Sequence, residues 1–134
     1  MTSRLGVSLL LAFSLIAALS WPHDSFAHHS FAAVFDAEKP VEKSGTVTEV
    51  EWMNPHAWIY IDVEDEDGAV VNWAFELGSP NGLIRRGWSR KSVQVGDEIS
   101  VTGYRARDGS DRGNIKTITL ADGKELTGNS SRKY

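Results

Sequence analysis

The stretch AWIYIDVEDEDGAVVNWAFE, residues 57–76, decides the fold. Ala57, Ile59, Ile61 and Val63 alternate with Trp58, Tyr60, Asp62 and Glu64, the period-two pattern of a strand with one buried face. Asp65-Glu66-Asp67-Gly68 makes a tight turn. Val71, Trp73 and Phe75 then alternate with Asn72, Ala74 and Glu76 in a second strand. The two strands read as a hairpin, with Trp73 on the core side and Trp58 and Tyr60 on the opposite face.

Upstream, Gly45 to Trp52 is strand-like through Thr46-Val47-Thr48 and Val50. Its alternation slips between Val47 and Val50, which predicts a bulge. Asn54-Pro55 punctuates it, because proline fixes its own φ and biases Asn54 away from helix. Residues 30–43 show no clean period and read as an extended arm. Downstream, Ser79-Pro80 is an N-cap followed by proline at the first helical position, predicting a short helix over Asn81–Arg86 that stops near Gly87. Ile99, Val101 and Gly103 with Tyr104 form the fourth strand. Asp108 to Gly113 is a polar loop, Ile115, Ile118 and Leu120 mark the fifth strand, and Glu125–Thr127 a short last one. This order predicts an all-β domain, a small five-stranded OB-like Greek-key barrel with one short helix between strands three and four. A different small barrel or a β-sandwich is the competing architecture.

The chain has 134 residues, room for one small domain, with 14 Lys+Arg against 18 Asp+Glu and no cysteine. A formal charge of −4 argues against nucleic acid as a partner. The lack of cysteine excludes disulfides, thiolate zinc sites and a Cys nucleophile. Residues 1–27 read as a cleaved signal peptide. Arg4 supplies the basic start, Leu5 to Leu19 an uncharged apolar run, and Ser25-Phe26-Ala27 the small-x-small cleavage pattern. An uncleaved N-terminal anchor is the alternative. Cleavage predicts a periplasmic or secreted protein with no membrane span, divided into an arm over 28–43, the barrel over 44–128 and a polar tail over 129–134.

The processed chain would begin His28-His29-Ser30. A terminal amine and its own imidazole Nδ1 chelate one metal, and a further imidazole completes a three-nitrogen set that suits Cu(II) among divalent first-row metals. His28, His29 and His56 are therefore the candidate ligands, with copper the candidate cofactor. An arm of residues 30–43 could span roughly 40 Å, enough to bring the terminus to His56. The competing account is that the terminus is merely polar and that His56 caps a turn. A second candidate is a ligand face built on Trp58 and Tyr60, where aromatic rings stack small ligands or dock an envelope protein.

Other features read as structural. Arg85, Arg86, Arg90 and Lys91, with Arg105 and Arg107 nearby in sequence, could hold an anion but read first as a solvated face. Asp65, Glu66 and Asp67 lack calcium-loop spacing. No acid–base pair or nucleophile with an arranged base is visible, so an enzyme is not expected.

His28-His29-Ser30-Phe31, Gly45-Thr46-Val47, Trp52 with Asn54-Pro55-His56, Trp73 with Glu76, Arg86-Gly87-Trp88, Gly96-Asp97 and Asp108-Gly109 together resemble an uncharacterised family of small exported bacterial proteins, catalogued as domain of unknown function 6152. The resemblance covers nearly all of the chain after the signal. It implies a secreted single domain and brings with it no activity, ligand or catalytic residue.

Overall fold

A computed structural model of the chain describes residues 31–128. The signal segment, His28, His29 and the polar tail lie outside the described residues. Strand β1 runs Phe35–Glu51, β2 Trp58–Glu64 and β3 Val70–Glu76, followed by helix α1 over Pro80–Ile84. Then come β4 Glu98–Ala106, β5 Arg112–Leu120 and β6 Glu125–Thr127. The fold is all-β, with six strands in one sheet ordered β3-β2-β1-β4-β5-β6. Neighbours in that order are antiparallel. A further parallel pairing joins Ala74, Phe75 and Glu76 of β3 to Arg112, Gly113 and Asn114 of β5.

Alternation in the decisive hairpin holds throughout. Ile59, Ile61, Trp73 and Phe75 are buried, and their neighbours on the other face are partly or fully exposed. Asp65 closes the turn, its carboxylate accepting from the backbone N–H of Asp67 and Ala69. Gly68 takes a φ of +79°, a conformation that favours glycine. The slip in β1 is a real irregularity: Val47 faces Ile61 while Glu49 already faces Tyr60, leaving Thr48 without a facing partner.

Residues 35–43 are not an arm before the domain but the first half of β1. Pro40 through Thr46 pair with Tyr104 through Glu98 of β4. Among the described residues this half pairs with β4 alone, and a strand paired on one side tolerates Pro40 and needs no apolar alternation on both faces. The sheet also holds six strands rather than five, because β6 pairs with β5 from Thr117 to Thr119. Helix α1 ends at Ile84, with Arg85 as its C-cap, so it is shorter than the pattern suggested. Ser79 caps it by accepting from Gly82 N–H at 3.3 Å.

The core joins Val47, Ile59, Ile61, Phe75, Leu77, Leu83, Val101, Ile115 and Ile118. Burying a large apolar side chain of this kind stabilises by about 1.5–3 kcal/mol. Trp88 closes over it at 4% exposure, its indole N–H donating to Thr127 O at 2.9 Å. Gly45 marks a close approach of β1 to β2. A Cβ there would lie 2.0 Å from Asp62 O, so no side chain fits between β1 and β2.

Candidate functional site

The hairpin register sets the site. Trp58 faces Glu76, Tyr60 faces Ala74, Asp62 faces Asn72 and Glu64 faces Val70. All these side chains stand on the face opposite the core, as alternation requires. The backbone pairing continues just past the strands, since Ala57 N–H donates to Gly78 O and Leu77 N–H to Ala57 O. This continuation, after a cis Asn54–Pro55 bond, lays His56 beside the end of β3.

At that corner His56 Nδ1 meets the Glu76 carboxylate. The imidazole side chain is 43% exposed and the carboxylate only 13%. Burial pushes the Glu76 pKa above its ordinary value, opposed first by the charge of His56 and then by that of Arg112. Arg112 arrives from β5 through the parallel pairing, and its guanidinium lies 5.3 Å from the Trp58 ring centroid, in cation–π range. Next along β2, the Tyr60 hydroxyl donates to Glu51 at 3.2 Å. Burial raises the Tyr60 pKa above 10.0, and the Glu51 charge raises it further.

The other end of the same face is different in kind. Ser44, Thr46, Thr48, Asp62, Glu64 and Glu98 are among the residues lining an open groove of about 510 Å³. Asn72 donates to Asp62 at 2.8 Å and to Thr48 at 3.0 Å, and the Thr46 hydroxyl donates to Glu98. Asp62 and Glu98 are thus met by neutral donors.

Of the residues proposed from sequence, His56, Trp58 and Tyr60 are brought to one edge of the hairpin, and Trp58 and Tyr60 are each partly exposed. His28 and His29 are outside the described residues. Among the described residues no group of three or more His, Cys, Asp or Glu is placed to hold a metal. No described helix is long and apolar enough to cross a membrane. Trp73 is core, and half-buried Trp52 leans on Trp88 with ring centroids 6.4 Å apart. The basic residues divide: Arg90 lies over Trp52 at 6.0 Å, Arg105 pairs with Asp111 at 3.4 Å, and Arg107 pairs with Asp36 at 3.7 Å.

Sequence reasoning missed the two residues that give the corner its charge. Glu76 is recoverable once Asp65 is set opposite Ala69 across the turn, which puts Glu76 opposite Trp58. Arg112 falls in the loop that the sequence predicts over Asp108–Gly113, and only the β3–β5 pairing reveals its place.

The chain belongs to the family of unknown function (DUF6152), whose model matches residues 16–116. A comparison with curated proteins finds no match.

Proposed function

We propose that this is an exported small binding protein, acting in the periplasm or outside the cell, that takes Cu(II) through its processed N-terminus. His28 would bind through its amine and ring, and His56 or His29 would supply the further imidazole. The observation that carries this reading is the His56 ring, whose Nδ1 is occupied by Glu76 while the side chain stays 43% exposed. A histidine held by a carboxylate through one nitrogen offers the other to a metal.

The order of pairings, with β3 returning to β5, supports an OB-like barrel as the scaffold. The role would be carriage or delivery of the metal rather than turnover.

A second reading is a metal-free module that docks an envelope protein or a small ligand. It is favoured by the part-exposed Trp58 and Tyr60 with Arg112 stacked beside them. In neither reading is nucleic acid the partner.

The test is an intact mass of protein exported with its own leader, followed by Cu(II) calorimetry and an electron spin resonance spectrum. A mass starting at His28, one-to-one binding and nitrogen hyperfine structure support the copper reading. Absence of binding by a chain that starts at His28 overturns it and leaves the docking module.

A further inference from the structure

We infer that Glu76 is the positioning residue of His56, fixing the imidazole as the Nδ1–H tautomer so that Nε2 is its donor to a metal. The inference deepens the copper reading and rests on it for the identity of the ligand. Its structural half stands on the corner alone.

A neutral imidazole carries one N–H, and which nitrogen holds it follows from the hydrogen bond the ring makes. Here Nδ1 faces a carboxylate oxygen, an acceptor when ionised, so the proton belongs on Nδ1 and the lone pair on Nε2. No described residue bonds Nε2. The contact is also hard to rearrange. Glu76 sits in β3 opposite Trp58, and the bonds Ala57 N–H to Gly78 O and Leu77 N–H to Ala57 O fix the two backbones beside it. Rotating the ring away would leave a carboxylate of 13% exposure without its partner, which is costly.

The arrangement sets the ring's orientation before any metal arrives, so less freedom is lost on binding. Cu(II) is the fitting probe, because a single neutral imidazole beside an amine suits it better than hard cations.

Two variants separate the outcomes. Glu76→Gln keeps an acceptor oxygen at nearly the same size, whereas Glu76→Leu removes the acceptor. Long-range proton–nitrogen spectra of the metal-free protein, at one mildly alkaline pH, report the His56 tautomer directly. The expected result is Nδ1–H in the parent and in Glu76→Gln, and a shift toward Nε2–H in Glu76→Leu. Copper affinity should fall by about 10–100-fold in Glu76→Leu, the range seen when a ligand histidine loses its outer partner, and by less in Glu76→Gln. A parent ring in the Nε2–H form overturns the inference. So does a Glu76→Leu protein with unchanged tautomer and affinity. If the tautomers behave as stated but the parent binds no copper, the positioning role stands and the copper reading is what fails. Circular dichroism on each variant confirms that the comparison is between folded proteins, and the parent tautomer keeps the test decisive if Glu76→Leu does not fold.

Discussion

The two ends of the outer β2–β3 face use carboxylates in opposite ways. At the His56 end, Glu76 is largely covered, pushed up by burial, and met by a titratable ring and a guanidinium charge. At the groove end, Asp62 and Glu98 are met by an amide and a hydroxyl. Neutral donors suffice where water reaches the acid; a covered acid needs an opposite charge or a proton. One face of the sheet thus holds the His56–Glu76 pair at one end and an acidic rim shared by β2 and β4 at the other.

The largest effect should come from Gly45→Ala, which breaks the groove end outright. Its Cβ would press on Asp62 O, and β1 and β2 must separate there. A loss of about 3 kcal/mol, the upper range for overpacking, is expected in chemical denaturation. A loss below about 1 kcal/mol would mean the strands do not meet as described.

His56→Ala comes next. It strands the covered carboxylate and should cost about 1–2 kcal/mol at neutral pH. The sign with pH follows from linkage. Glu76 already has a raised folded-state pKa, and loss of His56, its first downward influence, raises it further. The folded state then holds the proton more tightly than the unfolded chain, so stability falls as pH rises from about 4.5, the ordinary value, through the raised one. Thermal melts of parent and variant should therefore diverge on the alkaline side of that window and converge in acid. Equal spacing at every pH would remove the charge argument.

Asp62→Asn, at the solvated end, should change stability by less than about 0.5 kcal/mol, as for most surface sites. A larger loss would erase the contrast between the two ends. Smallest in stability is Glu51→Gln, which sharpens the picture spectroscopically. The Tyr60 hydroxyl keeps its burial but loses a negative neighbour, so ultraviolet titration should show its pKa moving down while staying above 10.0.

The hairpin and most of its face were legible because their determinants are local. Period-two alternation from Ala57 to Phe75 and an Asp/Gly-rich turn set register without outside help. The slip in β1 was legible too, since Val47 and Val50 cannot share a face without an extra residue. The first half of β1 was not, because Asp36, Glu38 and Pro40 sit on a stretch that pairs, among the described residues, with β4 alone, where the chain is free of the usual pattern. Of the corner, His56, Trp58 and Tyr60 could be named from sequence. Glu76 needed the register to be counted through, and Arg112 needed a pairing between distant strands that no local pattern encodes.

That distinction also orders assembly in time. The hairpin closes over a turn of few residues, a microsecond event, whereas joining β1 to β4 must bring Phe35 to Ala106 across most of the domain. His56 and Glu76 both belong to the local unit, and Arg112 arrives only when β5 docks beside β3. A nascent chain therefore acquires its acid–base pair before it acquires the guanidinium that tempers it. Rate measurements on core truncations would show this as early involvement of Ile61 and late involvement of Val101. The reverse order would place the slow, long-range closure first.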